Sequence, residues 1–372
     1  MTKTMNEPSK RRLRALQIGP DKRARGGIAS LLHAMGEGAT AFENMGVELQ
    51  FASTTRPSGS GVLHKAMAFL HALCRVGGAL VKSEVDVVHI HAALKGSLFR
   101  KTLIAWICIL FGARYVFQIH NGGFFDRYPK MVGPGRFFVR VALRRAEYVI
   151  VLSNYMRERA LKECFVSADR CAIVYNGIAD PVHGRSPIEG EHAGAVRIIF
   201  LGLISEAKGV PTLLDAVEIL RGRVGEFTLT VYGAGDILAF EKVLTSRRLN
   251  KVVTYGGWIG GEEKISVFSS ADIFVLPSRS EGFSVAVLEA MAHGLPIIST
   301  SIPGVLDAVR NNIEALLVAP GDAVALAVAI RKLIDNQDVR IRLGVAARRR
   351  YLEYFTLEKM AAELYRIYAS CV

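Results

Sequence analysis

Ser278-Arg-Ser-Glu281-Gly282-Phe283-Ser284-Val-Ala-Val-Leu288-Glu289-Ala-Met-Ala-His293-Gly294-Leu-Pro296 reads as a strand end, a glycine turn and a helix carrying two glutamates. The run before it, Ala271-Asp-Ile-Phe-Val-Leu276-Pro277, is short, apolar and closed by proline, the pattern of a strand buried in a parallel sheet. Glu281 then falls in the loop at the strand's carboxyl end, the edge of an open α/β sheet where ligands bind. Gly282, Phe283 and Ser284 offer backbone N–H groups at the helix start, and a phosphate is the natural guest. Glu289 follows about one and a half turns later. A carboxylate beside a bound diphosphate is repelled unless it accepts hydrogen bonds from hydroxyls, as the vicinal pair of a ribose would supply. Two glutamates taken alone are more often solvated charge on a surface helix. Here Val285, Val287 and Leu288 surround them with apolar side chains, and Gly294-Leu-Pro296 closes the helix sharply before Ile297-Ile298-Ser-Thr.

The same strand–turn–helix grammar recurs on both sides of this stretch. Val196-Arg-Ile-Ile-Phe-Leu201-Gly202 is a strand, followed by Lys208-Gly209-Val-Pro211 and an amphipathic helix to Leu220. Phe227-Thr-Leu-Thr-Val-Tyr232-Gly233-Ala-Gly235 and Val252-Val-Thr-Tyr-Gly256-Gly257-Trp258 are two more strands, and Trp258 sits where a base could lie against it. Nearer the N-terminus, Leu13-Arg-Ala-Leu-Gln-Ile18-Gly19 leads to Gly26-Gly27-Ile28 and a helix. That is a Rossmann-like start without the G-x-G-x-x-G fingerprint, in which two glycines still let backbone approach a phosphate or sugar. Val85-Asp86-Val-Val-His89-Ile90-His91 and Arg114-Tyr-Val-Phe-Gln-Ile-His120-Asn121-Gly122-Gly123 are strands with polar ends at the carboxyl edge. A lone histidine is commonly structural, but His120 shares its edge with the other polar ends. The alternation breaks over residues 181–194, rich in Pro, Gly and His, which divides the chain into domains at 1–180 and 195–355. The expected fold class is α/β, with two Rossmann-like domains.

At 372 residues the chain exceeds what one core usually serves, and 51% hydrophobic with 22% charged residues is an ordinary globular composition. No run reaches the ~18 apolar residues of a membrane span, and Met1 to Lys10 lacks the apolar centre of a signal peptide. Five cysteines without a C-x-x-C pair look like reduced thiols of a cytoplasmic protein. The net charge of +13 is unevenly spread: residues 1–185 hold 27 Lys and Arg against 13 Asp and Glu, and residues 186–372 hold 20 against 21. An excess confined to one half suits a nucleic acid, an anionic membrane or an anionic substrate. No basic recognition helix with interleaved aromatics appears, so no nucleic-acid partner is expected. Lys95-Gly-Ser97-Leu-Phe-Arg100-Lys101 precedes an apolar helix with Trp106 at its centre. That helix reads either as core cover for the sheet or as a monotopic helix whose basic end meets lipid head groups or a lipid diphosphate.

Taken in order, Gly26-Gly27, His120, Asn176-Gly177, Gly202 with Lys208-Gly209, Gly233-x-Gly235 and Glu281-Gly-Phe-x5-Glu289 resemble the retaining GT-B glycosyltransferases of family 4, over nearly the whole chain. The last motif is the family's E-x7-E signature. Lys95-Gly-Ser-x-x-Arg100-Lys101 with His120-Asn-Gly-Gly-Phe looks more narrowly like members that build bacterial exopolysaccharide on a polyprenyl-diphosphate carrier. The resemblance implies two domains facing each other across a cleft, with a terminal helix, 356–372, crossing back to the first. It implies that Lys208 neutralises the donor diphosphate, helped by the N–H groups of Gly282 to Ser284 and by Gly26-Gly27. Gly202 and Gly233 would lie against the donor, Glu289 would hold its ribose and Glu281 its sugar hydroxyls, with His120 beside the anomeric carbon. One departure stands out: the family usually has arginine after the glycine that opens the Lys-Gly motif, and here Gly202 is followed by Leu203. Arg197, Arg279 or a first-domain arginine would have to supply the missing guanidinium.

The expectation is therefore a retaining hexosyltransferase that moves a sugar, GDP-mannose being the preferred donor, from a nucleotide-diphosphate carrier to a lipid-linked saccharide in exopolysaccharide synthesis. No Asp-x-Asp motif follows a strand, so no metal and no cofactor are expected. The basic first domain, with Lys95, Arg100 and Lys101, would face the acceptor and an anionic membrane, placing the enzyme on the inner face of the cytoplasmic membrane. Three other readings stay open on the residues: a non-catalytic assembly partner that kept the fold, to which Leu203 lends weight; a glycoside hydrolase using Glu281 and Glu289 as its carboxylate pair; and a charge-driven nucleic-acid binder.

Overall fold

The computed structural model describes residues 11–24, 26–55, 62–94, 96–181, 194–222 and 226–372. The linker expected at 181–194 lies almost wholly outside them, as does Lys95. The described chain falls into two compact units: residues up to Leu152 with Met156–Val174 and Leu357–Val372, and Ser153–Tyr155 with Tyr175–Thr356.

In the first unit six parallel strands form one sheet: β1 (Leu13–Gly19), β2 (Val47–Ser53), β3 (Val87–Ala92), β4 (Tyr115–Ile119), β5 (Tyr148–Val151) and β6 (Cys171–Ile173), in the order β2-β1-β3-β4-β5-β6. Each β-to-β connection carries a crossover segment, because parallel neighbours cannot be joined by a tight turn. Central strands β3 and β4 are buried along their whole length, as expected for a sheet covered on both faces. The chain's last helix, Leu357–Cys371, belongs to this unit. Its buried residues Leu357, Met360, Ala361, Leu364, Ile367, Tyr368 and Cys371 recur at helical spacing and pack in one core with Ala15, Leu31, Leu32 and Met35. Three helices depart from that economy. Leu63, Met67 and Leu70 on helix Val62–Val81, Phe99, Leu103 and Leu110 on helix Gly96–Leu110, and Phe137 and Phe138 on helix Gly133–Arg145 are exposed large hydrophobics.

The second unit repeats the plan with β7 (Val196–Leu201), β8 (Phe227–Tyr232), β9 (Val253–Gly257), β10 (Ile273–Leu276), β11 (Ile297–Thr300) and β12 (Ala315–Val318), all parallel, in the order β12-β11-β10-β7-β8-β9. The chain winds from β7 through β8 to β9 on one side, then returns to place β10 on the other side of β7. The crevice at the carboxyl ends of β7 and β10 is thus a topological switch point, the place where such sheets hold ligands. The loops bearing Gly202 to Gly209 and Pro277 to Ser284 issue from these two strand ends. In the first unit the same reversal falls between β1 and β3, so the segment leading to Gly26-Gly27 leaves a switch-point strand.

Candidate functional site

Backbone contacts clamp the two switch-point loops of the second unit together. The N–H of Arg279 donates to the carbonyl of Ala207 at 2.9 Å. Gly209, in the left-handed region at φ 73°, lies so close to Pro277 that a Cβ there would stand 1.9 Å from the Pro277 carbonyl oxygen. Only glycine meets both demands. The clamp brings Lys208, at the end of the 3-10 turn Glu206–Lys208, onto Glu281: Lys208 Nζ donates to Glu281 Oε1 at 2.5 Å. Ser278 Oγ donates to the same oxygen at 2.6 Å. Beyond them Ser284 caps helix Val285–Ala292, its Oγ accepting from the N–H of Val287, and Phe283 is buried and stacks on Tyr175 with ring centroids 5.2 Å apart. Gly202 and Gly233 face each other at the ends of β7 and β8. A Cβ on Gly233 would lie 1.8 Å from the Gly202 carbonyl oxygen, which leaves this rim as bare backbone.

Glu289 projects from the same helix, half-buried. Lys264, in helix Gly261–Ser270, makes an ion pair with its Oε1. Burial pushes the Glu289 carboxyl up from the ordinary carboxylate range, and the Lys264 ammonium pulls the other way. Trp258 lies just beyond β9 and is 54% exposed. Lys208, Glu281, Ser278, Gly282 to Ser284, Gly202 and Gly233 are thus gathered at one sheet edge, with Glu289 and Lys264 beyond. Lys264 and Ser278 escaped the sequence reading. Ser278 stood within the quoted stretch, whereas nothing in the local pattern marks Lys264, whose role depends on helix packing.

Leu203 is 54% exposed beside this edge. Arg197 cannot stand in for the missing guanidinium. It sits near the amino end of β7, its backbone N–H and Nε both bonded to Asp272, at the opposite edge from Gly202. Arg279 is at the right edge, on the loop clamped to Ala207, with its Nη1 donating to Glu206 Oε1 at 2.8 Å.

In the first unit Gly26 has φ 137°, a backbone open to glycine, and Gly27 begins helix Gly27–Glu37; a Cβ at either would meet nothing within 4 Å. His120 follows β4 directly, half-buried, its N–H held by the Ala92 carbonyl at 3.0 Å and its Nε2 2.8 Å from His91 Nδ1. Burial pushes the His120 imidazole down to about 3 and holds His91 well below the ordinary histidine range. His89 and His91 lie toward the carboxyl end of β3, as expected, and both are buried there.

The basic patch before helix Gly96–Leu110 also needs correction. Lys101 is 1% exposed and donates to Thr54 Oγ1 at 2.5 Å. Its place on the helix, between buried Leu98 and buried Ile104 and Ala105, turns it toward the sheet. Arg100 is half-buried. Exposed cations on or beside these helices instead include Arg75 on helix Val62–Val81, Arg140, Arg144 and Arg145 on helix Gly133–Arg145, and Arg127 and Lys130 just before it. Trp106 Nε1 donates to the Phe138 carbonyl at 3.1 Å, which ties helix Gly96–Leu110 to helix Gly133–Arg145.

Residues 31–180 match the family model described as Glycosyltransferase Family 4, and residues 195–336 the one described as Glycosyl transferases group 1. An uncharacterized glycosyltransferase of Methanocaldococcus jannaschii is 23% identical over 78% of this chain and 77% of its own length. The amylovoran biosynthesis glycosyltransferase AmsK of Erwinia amylovora is 32% identical over 41% of this chain and 39% of its own. Among solved structures, Anabaena HepE in complex with UDP and glucose superposes with a TM-score of 0.74 at 16% identity, covering 96% of this chain and all of that one.

Proposed function

On the premise that the chain is a glycosyltransferase of the GT-B, family 4 type, we propose that it transfers a hexose, with retention of anomeric configuration, from a nucleotide-diphosphate sugar to a lipid-linked saccharide. The observation that carries this reading is the assembly of Lys208, Glu281 and the capped N-terminus of helix Val285–Ala292 at one switch point. A cation and the backbone N–H groups of a helix start suit a diphosphate. Glu281 suits sugar hydroxyls and Glu289 the ribose. Lys208, the N–H groups from Gly282 to Ser284 and Arg279 would meet the charge that grows on the diphosphate as the glycosidic bond breaks, in place of a metal ion. Arg279 would supply the guanidinium that Leu203 withholds. HepE was solved with UDP and glucose, so uridine and guanosine donors both belong in the trial.

The first unit would serve the acceptor. Its basic excess and the exposed apolar residues of helices Val62–Val81, Gly96–Leu110 and Gly133–Arg145 are the features of a surface that rests on anionic lipid. AmsK is named for amylovoran biosynthesis, and the acceptor proposed here is a polyprenyl-diphosphate saccharide. The association proposed is peripheral; no helix of the described residues is long and apolar enough to cross a membrane.

The test is a panel of GDP- and UDP-hexoses against a polyprenyl-diphosphate saccharide, with the anomer of the product read by NMR. Transfer with retention supports the reading, and inversion overturns its mechanism. Absence of binding to every nucleotide sugar by calorimetry would favour a non-catalytic assembly partner.

A further inference from the structure

A chain of hydrogen bonds through the first unit, unused in the reading above, ends on His120. The strand register sets Gln17 of β1 opposite His89 of β3, and His91 of β3 opposite Gln118 of β4. Because side chains alternate along a strand, Gln17, His89, His91, Gln118 and His120 share one face of the three central strands. Tyr368, from helix Leu357–Cys371, meets this stripe. His120 Nε2 lies 2.8 Å from His91 Nδ1, and His91 Nε2 lies 2.9 Å from Gln17 Oε1. Gln17 Nε2 donates to the Tyr368 hydroxyl at 3.1 Å, and that hydroxyl is 2.6 Å from His89 Nδ1.

The Gln17 carboxamide gives the chain a direction. Its oxygen can only accept, so His91 carries its hydrogen on Nε2 and has a lone pair on Nδ1. His120 must then donate from Nε2 to His91, which leaves His120 Nδ1 as a bare acceptor without a partner among the described residues. The carboxamide nitrogen can only donate, so Tyr368 accepts from it and gives its own hydrogen to His89 Nδ1. Burial of all three imidazoles keeps them uncharged, as this pattern requires. Gln17, His89, His91 and Tyr368 are all buried, where an unmatched polar group is costly, and of their side-chain atoms His89 Nε2 has no partner among the described residues. An apolar set would fill the same space, but it could not fix which nitrogen of His120 is free.

We propose that Gln17, His91 and Tyr368 are positioning residues that lock His120 as its Nε2–H tautomer, so that Nδ1 is presented as a neutral acceptor for a sugar hydroxyl. The hydroxyl as partner rests on the function proposed above; the tautomer does not.

The experiment is ¹⁵N NMR of the full-length protein with labelled histidine at neutral pH, His120 being assigned through its loss in His120→Gln. The expected spectrum shows a neutral His120 ring protonated on Nε2. Tyr368→Phe removes the acceptor for the carboxamide and frees Gln17 to turn, so the His120 resonances should move toward a mixture of tautomers. Its kcat should fall about tenfold with the donor KM nearly unchanged. A wild-type His120 protonated on Nδ1, or an imidazolium, overturns the proposal whether or not the variant folds. So does a folded Tyr368→Phe protein with an unchanged His120 pattern. If the expected tautomer appears but no nucleotide sugar binds, the proposed function falls and the tautomer lock stands.

Discussion

Lys208 and Glu281 hold each other: the ammonium donates to Glu281 Oε1 at 2.5 Å, on an oxygen that Ser278 also reaches at 2.6 Å. A cation suited to a diphosphate and a carboxylate suited to sugar hydroxyls thus neutralise one another, and a bound donor would exchange this pair for two new ones. Lys208→Ala should lower kcat by about 10²- to 10³-fold, the range seen when a preorganised charge-stabilising donor is lost. Glu281→Gln, which keeps the shape but not the charge, should cost less. Radiolabelled sugar transfer at saturating donor checks both, and a Lys208→Ala enzyme of unchanged kcat would sink the role given to the ammonium.

The ribose role proposed for Glu289 falls on a carboxylate that already carries Lys264 on one of its oxygens. Glu289→Ala should weaken donor binding by about 1–3 kcal/mol, the usual cost of losing hydrogen bonds to a charged group, with little change in melting temperature. Lys264→Met should weaken it as well, by leaving a half-buried carboxylate uncompensated. Titration calorimetry with UDP and GDP measures each loss. Donor affinity that survives Glu289→Ala would refute the ribose assignment.

Arg279 and Leu203 lend themselves to a rescue. Arg279→Ala should raise the donor KM about tenfold or more through the lost charge-assisted bonds. Adding Leu203→Arg to that variant should restore much of the loss, since it returns a guanidinium to the same edge. If the double variant is as poor as the single one, or Arg279→Ala has no effect, Arg279 is not the substitute.

Membrane association should follow the exposed cations. Reversing Arg140 and Arg144 to Glu should reduce cosedimentation with phosphatidylserine vesicles at low salt, each charge being worth about 1 kcal/mol near an anionic surface, and the difference should shrink as salt rises. Lys101→Glu should instead lower the melting temperature, because it puts a carboxylate in place of a buried amino group that donates to Thr54. Equal vesicle binding by wild type and the reversed variant would reject this surface.

Stability should decline in mild acid. Burial pushes His89 and His120 down to about 3, below the ordinary histidine range near 6.5. Between those values the unfolded chain binds protons that the folded chain does not, so stability is full above about pH 6.5 and is lost as pH falls. Each such histidine contributes a slope of up to about 1.4 kcal/mol per pH unit. Melting curves from pH 7.5 to 5 should show the fall before most carboxylates titrate, and a flat melting temperature over that interval would contradict it.

Much of this was legible along the chain. Alternating strands and helices, each strand closed by glycine or proline, announce parallel sheets, and Ser278 to Pro296 places Glu281 and the helix start by local grammar alone. The pairing of His89 with His91 and of Gln118 with His120 at a spacing of two even marks a polar strand face. Lys101 departs from its expected place because neighbouring basic residues in sequence fall on different faces of a helix.

The sequence by itself determined the elements, the half of the chain that holds the positive charge, and the residue types at each strand end, since these follow from side-chain periodicity and turn chemistry. Only the tertiary structure decided which of those ends meet. Strand order makes β7 and β10 neighbours although residues 202 to 272 separate them, and so sets Lys208 on Glu281. Helix packing brings Lys264 to Glu289, and the register of β1, β3 and β4 with the last helix lines up Gln17, His91 and Tyr368 behind His120. Such contacts arise from the burial of surfaces far apart in the chain, and no local pattern encodes them.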